Sequence, residues 1–344
     1  MNEVAALAAS PAGEDVLLPA LEGVVRETFG ARSTIAAIRR MTAKDQTSHA
    51  CHVVTVRLGT GGDLTLFFKD YSSYKGRRPG MKERSERELR VYRDLLSGTD
   101  LGTARYYGSL WDQPQGFFGV LLELVPGTPV RYCEFPYWLS AAGWLGRMQG
   151  YFARHSTLLE KCDFLLRHDE HFFHSVAEKA ARSVFERSPE LARRLAPVWS
   201  EYDRVVKILA IPFTTLVHGS YGAGQVLADS GVEPPRLCPI DWEFAGVGPA
   251  LYDLGVLVDG FKTPRLDELL DTYRREATAH GVPVPDNDTM KLVIHCCRLH
   301  RVMHHLSRCT ERNYPATAVS GLMDMSDQLS KLVLWQTKFR SFAS

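Results

Sequence analysis

Two short motifs in the second half of the chain decide its fold, because each places polar side chains directly after an apolar run. Residues 217–227 read VHGSYGAGQVL, residues 239–249 read PIDWEFAGVGP, and Tyr252-Asp253-Leu254 follows. Gln225 and Asp241 stand 16 positions apart. Asp241 comes after the apolar Cys238-Pro239-Ile240, a pattern that predicts a carboxylate at a strand end, and such an oxygen ligand suits Mg²⁺.

The two motifs resemble the aminoglycoside phosphotransferase and choline-kinase-like branch of the protein-kinase fold. That family's catalytic loop reads His-Gly-Asp, four residues and then Asn, its metal-binding strand reads Ile-Asp-Trp/Phe-Glu, and Asp-Leu-Ala/Gly closes the block. The resemblance covers nearly the whole chain and implies an α+β protein with a two-lobed protein-kinase-like fold: an antiparallel-sheet N-terminal lobe and a mainly helical C-terminal lobe. It also implies a phosphotransferase that uses ATP, or another nucleoside triphosphate, together with Mg²⁺.

Three departures from the family's pattern bear on the chemistry. Ser220 stands where the family has its catalytic Asp, and a serine is no base at neutral pH. Gln225 stands where the family has Asn, and as a candidate metal ligand it keeps the amide oxygen one methylene further out. Residues 43–48, AKDQTS, occupy the nucleotide-covering turn without a glycine, so their amides approach phosphates less freely.

The resemblance extends to residues of the N-terminal lobe that would hold the nucleotide. It implies that Lys69, at the end of a predicted strand, binds the nucleotide phosphates and that Glu88 is its partner. Glu123 and Val125, in the link between the lobes, are implied to bind the nucleotide as well. The alternative for Lys69 is an exposed lysine at a strand end, and the alternative for Glu88 is a solvated helical acid.

The candidate catalytic residues are Ser220, His218 and Glu243. Ser220 would stand at the acceptor, and the resemblance implies that His218 orders the loop by hydrogen bonding. Asp253 is expected to anchor loop amides. Glu243 lies two positions after Asp241 and, because alternate residues of a strand share a face, is a substitute carboxylate to consider.

The spacing of apolar residues predicts sheet in the first third of the chain and helices beyond it. Alternation and turn residues predict two hairpins, 50–58 with 64–68 and 104–110 with 117–124. The 3.6-residue period predicts helices over 17–29, 83–96, 138–153, 172–185, 190–208, 266–280 and 291–308. We therefore expect an N-terminal lobe over residues 1–125, with a leading helix, a five-stranded antiparallel sheet and one helix. The helical lobe, 126–344, would carry both motifs in residues 214–254.

Composition excludes several classes of protein. The 344 residues are 24% charged and 45% hydrophobic, values typical of an ordered globular chain. With a formal net charge of +1, the chain has no overall positive electrostatic field to attract nucleic acid or an anionic membrane. No apolar run is long enough to span a bilayer. Seven cysteines without regular spacing and an N-terminus without a basic segment indicate a cytoplasmic protein without disulfides or a signal peptide.

Two further features have bland and functional interpretations. The basic segment of residues 75–93 is either a solvated loop and helix face or an arm that grips an acidic substrate, a partner peptide or phosphates. Cys296, His300 and His304 recur every four residues, a spacing compatible with zinc, although an apolar stripe on the same helix favours packing.

Three functions remain open from the sequence. One is phosphoryl transfer to a hydroxyl of a small molecule or peptide. Another is a degenerate kinase-like binding module for a peptide or partner protein in a biosynthetic pathway. The third is a nucleotide-binding regulator without turnover.

Overall fold

The chain folds into two compact units. The computed structural model describes residues 14–43, 49–72, 80–112, 117–210, 213–259 and 264–338. The first unit comprises Met1–Thr128 and Leu227–Glu243, and the second comprises Pro129–Val226 and Phe244–Ser344. The predicted division at residue 125 stays a prediction, whereas the predicted α+β class, with an antiparallel sheet followed by a helical part, is confirmed.

A five-stranded antiparallel sheet forms the body of the first unit. Its strands are β1 Ile35–Thr42, β2 Ala50–Leu58, β3 Asp63–Asp70, β4 Tyr106–Asp112 and β5 Phe117–Glu123, in the order β1-β2-β3-β5-β4. Both predicted hairpins are present as the pairs β2 with β3 and β4 with β5. The turn of the second hairpin, residues 113–116, lies outside the described residues.

One face of this sheet is covered by helix α1, Glu14–Phe29. Alternate side chains of β2 and β3, such as Val54 and Leu66, are fully buried against Leu21 of the helix. The alternate apolar side chains of the strands and the apolar face of α1 therefore form one core.

Helix α2, Met81–Arg90, continues into a π-helical turn at Val91–Leu96. The predicted helix over 83–96 is thus present, with a wider turn at its end. The Ser97 amide donates to the Tyr92 carbonyl, five residues back, at 3.0 Å. Inside that turn Val91, Tyr92, Leu95 and Leu96 are all buried.

The second unit is built mainly from helices. They are α3 Phe135–Arg154, α4 Ser156–Glu160, α5 Glu170–Arg187, α6 Pro189–Ser200, α7 Tyr202–Leu209, α8 Leu251–Leu257, α9 Leu266–Ala279, α10 Asn287–Leu306 and α11 Ala316–Lys338. The prediction of one helix over 190–208 is wrong, because α6 and α7 are separated at Glu201. Pro197 inside α6 has no N–H to donate to the preceding turn, and α6 ends three residues later.

Short strands accompany the two motifs. They are β6 Thr128–Pro129, β7 Leu166–Arg167, β8 Thr214–Val217, β9 Val226–Asp229, β10 Arg236–Pro239 and β11 Gly246–Pro249. In the second unit, β11 lies between β7 and β8. β8 thus leads into the loop that carries Ser220, and β10 leads into Asp241.

All seven cysteines are free. Within the described part of the chain, no helix is long and apolar enough to cross a membrane.

Candidate active site

Three charged side chains from separate parts of the first unit form a cluster in which one ammonium group contacts two carboxylates. Lys69 lies near the end of β3, Glu88 on α2, and Asp241 just after β10. The Nζ atom of Lys69 lies 2.9 Å from each carboxylate oxygen of Glu88 and 2.7 Å from Oδ1 of Asp241. The predicted pairing of Lys69 with Glu88 is therefore present in the structure, and Asp241 joins it.

The three side chains differ in exposure. Those of Lys69 and Glu88 are 11% and 3% exposed, whereas that of Asp241 is 44% exposed. Burial disfavours the charged ammonium, but the carboxylates of Asp241 and Glu88 outweigh it and raise the pKa of Lys69 well above its ordinary value. Lys69 is thus a fixed positive charge beside a carboxylate that solvent reaches.

The backbone at Asp241 adopts a left-handed conformation, with φ of 64°. Among the described residues, Asn313 is the other non-glycine residue with positive φ. An L-residue in this region is held there at a cost of about 1 kcal/mol or more. The conformation sets the direction of the Asp241 side chain as the chain leaves β10.

Arg87 is a residue of this site that sequence reasoning placed only in the basic segment. Its side chain is buried, and Nη1 donates to the backbone carbonyl of Glu243 at 2.6 Å. Arg87 therefore ties α2, which carries Glu88, to the segment that carries Asp241. In the sequence, the feature that points to a role for Arg87 in this site is its position directly before Glu88.

Other members of the basic segment give no further support for an arm. Arg93 is paired with the neighbouring Asp94 on an exposed surface, and residues 75–79 lie outside the described part. The arm stays a prediction, as does the role of the Glu243 carboxylate.

Glu123 is the last residue of β5, and Val125 lies two positions after it. The carboxylate of Glu123 accepts two hydrogen bonds from Arg236, at 2.6 and 2.8 Å, and one from the amide of Arg105 at 3.1 Å. These bonds, with Arg236 foremost, lower the pKa of Glu123. Its side chain ties β5 to β10, and the nucleotide-binding role of Glu123 and of the half-buried Val125 stays a prediction.

In the second unit, Asp253 at the start of α8 anchors the loop after β8. Its carboxylate accepts from the amides of His218 at 2.6 Å and Gly219 at 3.0 Å, which confirms the predicted anchoring. Burial raises the pKa of Asp253 to about 7, against the opposing effect of these amides. The buried carboxyl group of Asp253 thus helps to hold the loop conformation.

His218 and Ser220 form a further contact inside this loop. The Ser220 amide donates to Nδ1 of His218 at 3.2 Å, so that this ring nitrogen is an acceptor. Gly219, between them, has φ of +76°, and a Cβ there would lie 2.1 Å from the Phe244 carbonyl oxygen. At the end of the loop, the backbone amide of Gln225 donates to the Gly222 carbonyl at 2.8 Å.

The structure thus brings Lys69, Glu88 and Asp241 together in one unit, and His218, Ser220 and Gln225 into one loop of the other. The covering turn, residues 44–48, lies outside the described residues. The helix with Cys296, His300 and His304 forms no metal site: no group of three or more His, Cys, Asp or Glu in the described ranges could hold a metal ion. Nδ1 of His300 lies instead 2.7 Å from the hydroxyl of Tyr202.

Comparison with known proteins indicates the same family as the sequence motifs. Residues 49–291 match the phosphotransferase enzyme family, APH. No curated protein matches the chain. Among solved structures, a candidate aminoglycoside phosphotransferase from Ralstonia eutropha JMP134 is 16% identical, with a TM-score of 0.60 over 93% of this chain and 98% of that one.

Two other structures are similar. The GDP complex of wild-type aminoglycoside 2'-phosphotransferase-IIIa is 11% identical, with a TM-score of 0.59 over 90% of this chain and 97% of that one. Choline kinase from Cryptosporidium parvum Iowa II is 11% identical, with a TM-score of 0.56 over 92% of this chain and 94% of that one. At these identities the likeness is one of fold, and it confirms the predicted kinase-like fold. The match to the family model confirms the predicted phosphotransferase family.

Proposed function

Because the chain belongs to the phosphotransferase enzyme family, we propose that it transfers the γ-phosphoryl group of ATP, or of another nucleoside triphosphate, to a hydroxyl group of a small molecule or peptide. The relatives in fold include proteins named for small-molecule acceptors, aminoglycosides and choline, and one is a complex with GDP. These names favour a small-molecule acceptor and leave the choice between adenine and guanine nucleotides to experiment. We place the reaction in the cytoplasm, which suits seven free thiols.

The observation that carries the proposal is the position of Lys69 between two carboxylates. A buried ion pair contributes little net stability, because desolvation offsets much of its attraction. Phosphoryl transfer, by contrast, needs a fixed positive charge for the β- and γ-phosphates. Lys69 would supply that charge, and the buried Glu88 would hold the ammonium in place.

Asp241 and Gln225 would hold Mg²⁺, and their chemistry fits that ion. Protein-bound Mg²⁺ is commonly held by one or two carboxylates together with the phosphates of the substrate. Each residue offers an oxygen of the required kind, namely the solvent-accessible carboxylate of Asp241 and the side-chain amide oxygen of Gln225. When bound, Mg²⁺ neutralises charge on the phosphates.

Ser220 replaces the residue that would accept the proton of the acceptor hydroxyl. A missing general base typically costs about 10²–10⁴-fold in rate. A loose phosphoryl-transfer transition state makes a weaker demand on a base, because bond formation to the attacking oxygen is little advanced. Ser220 would position the acceptor through its hydroxyl, and His218 would keep the loop in order. Glu243, two positions after Asp241, would be the substitute carboxylate to consider.

The second candidate function is binding without turnover, and Ser220 is the observation that favours it. A kinase-like module that has lost its catalytic carboxylate would bind a nucleotide, a peptide or a partner protein of a biosynthetic pathway. It would share the contacts of Lys69 and Asp241 with the enzyme.

Calorimetric titration with ATP and GTP, with and without Mg²⁺, tests both candidates, followed by assay of ADP or GDP release with amino sugars and amino alcohols. Mg²⁺-dependent binding with acceptor-dependent release is the expected result. Binding without release from any acceptor would favour the second candidate. Absence of nucleotide binding would overturn the proposed phosphotransferase.

Asp241→Asn sharpens this test, because asparagine tolerates positive φ and the backbone conformation can persist. The variant should lose Mg²⁺-dependent nucleotide binding by at least tenfold while its circular dichroism spectrum stays the same. Asp63→Asn, at an exposed strand residue, is the matched control. Unchanged Mg²⁺ dependence in Asp241→Asn would move the metal site elsewhere.

A further inference from the structure

A cavity of about 460 Å³ opens in the second unit between α10 and α11, beside the residues that follow α8. Arg298, Arg301 and His305 line it from successive turns of α10, and Asp259 lies after the end of α8. Its other walls come from α11 and the segment before that helix. The residues of the candidate active site do not line it.

The polar side of this cavity is positively charged. Arg301 donates through Nε to Oδ2 of Asp259 at 2.7 Å, and Arg298 donates through Nη2 to the Val258 carbonyl at 2.8 Å. Asp259 is the one acidic residue among the described residues that line the cavity, so two guanidinium groups face a single carboxylate. The terminal amino groups of Arg301 have no protein acceptor within the described ranges.

The opposite wall is apolar and contains unused space. Leu322 and Met325 of α11 line it, and 44% of Met325 is exposed. Gly321 lies on the same wall, and a Cβ added to it would meet no atom within 4 Å. Glycine inside a helix costs about 1 kcal/mol relative to alanine. Gly321 is exposed, so a molecule bound in the cavity can approach the backbone of α11 at this position.

We propose that this cavity binds a small molecule in which a carboxylate or phosphate group adjoins an apolar body. The planar fork of Arg301 matches the two oxygens of such an anion, and a bond of this kind is charge-assisted. The apolar body would lie over Gly321 and Met325, where it removes exposed apolar surface from water. The site belongs to the second unit alone and stands independently of the proposed phosphoryl transfer.

Calorimetry with 1-naphthylacetate and its neutral analogue 1-naphthylacetamide tests the proposal on the whole chain without nucleotide. The acid should bind at least tenfold more tightly than the amide. Arg301→Gln should remove most of this preference, and Arg301→Lys should retain part of it. Arg275→Gln, at an exposed arginine of α9, should leave both affinities unchanged.

Gly321→Leu provides a variant that fills the cavity without a change of charge. It should abolish binding of both compounds while the chain remains folded, because leucine is a stronger helix former than glycine. Circular dichroism and thermal unfolding check that each variant is folded. Equal affinity for acid and amide, binding that survives Gly321→Leu, or no binding of the acid at millimolar concentration would each overturn the proposal.

Discussion

Lys69 connects three elements of the first unit, since its ammonium binds carboxylates from α2 and from the segment after β10. Removal of one member of a buried charge cluster leaves the remaining charges without compensation, which costs more than the cluster contributes. The consequences differ between members. Lys69→Met leaves two carboxylates without their cation, whereas Glu88→Gln leaves Lys69 with Asp241 as a partner.

A double-mutant cycle should show this asymmetry. We expect Lys69→Met to lower the free energy of unfolding by about 3–5 kcal/mol and Glu88→Gln to lower it by less. The double variant should be more stable than the sum of the two changes predicts, because no isolated buried charge remains. Urea unfolding measures all four proteins.

The same cycle on the exposed cross-strand pair Arg57 and Asp63 is the control and should show little coupling. Strict additivity for Lys69 and Glu88 would contradict the ion pair. Nucleotide titration of the same variants reports separately on phosphate binding.

Ser220→Asp tests whether the missing carboxylate limits the reaction. If the protein is an enzyme without a base, the new carboxylate should raise turnover, and up to about 10²–10⁴-fold is the usual contribution of a general base. Ser220→Asn, uncharged and of similar size, is the matched control. A rate that falls on Ser220→Asp would mean that the serine itself suits the chemistry.

The sequence predicted the contacts between residues of known motifs. It did not predict contacts between residues that only the folded chain brings together. The resemblance placed Lys69 opposite Glu88, and Asp253 under the loop amides. The bond from Arg87 to the Glu243 carbonyl joins a side chain to a backbone atom 156 positions away, and no local pattern encodes it. The left-handed backbone at Asp241 is likewise fixed by its surroundings.

The loop between β8 and β9 depends on a backbone conformation that only glycine adopts easily. Gly219→Ala would place a methyl group in left-handed backbone and against the Phe244 carbonyl oxygen. We expect a loss of stability above about 2 kcal/mol and loss of any phosphoryl transfer, since the Ser220 loop must move.

Gly23→Ala in α1 provides the contrast to this substitution. A Cβ there meets no atom within 4 Å, so this variant should gain about 0.5–1 kcal/mol from helix propensity. Thermal unfolding compares the two variants. Equal stability of Gly219→Ala and the native chain would show that the loop relaxes freely.

Helices and strands could be predicted from the sequence where their buried apolar residues recur with a single period, of two in a strand or 3.6 in a helix. β1 was not located, because its side chains are exposed or only half-buried and show no alternation. Helix α11 was missed for another reason. Its buried stripe at Val319, Met323, Ser326, Ser330 and Val333 has helical spacing, but the two serines interrupt the apolar pattern.

Buried and half-buried neutral histidines in both units make the stability of the whole molecule depend on pH. Burial lowers the pKa of His49, His52 and His295 to about 4, with nearby cations acting in the same direction. Each of these groups stays neutral in the folded chain at pH 5.5, whereas an unfolded histidine, with a pKa near 6.5, takes up a proton. Acid therefore favours the unfolded state through these groups, and their contribution to stability falls as the pH drops from about 7 towards 4.

His52 allows this effect to be isolated. Its ring is 6% exposed on β2, stacks on Phe68 with centroids 6.1 Å apart, and neither ring nitrogen has a hydrogen-bond partner among the described residues. In His52→Phe the free energy of unfolding should therefore decrease less between pH 7.5 and 5.5 than in the native chain, by about 1 kcal/mol. At pH 7.5 the variant should be at least as stable, because it no longer buries two unpaired polar atoms. The same substitution at the exposed His171 of α5 is the matched control. Urea unfolding at the two pH values measures the difference, and an identical loss in native and His52→Phe protein would mean that His52 is protonated in the folded sheet.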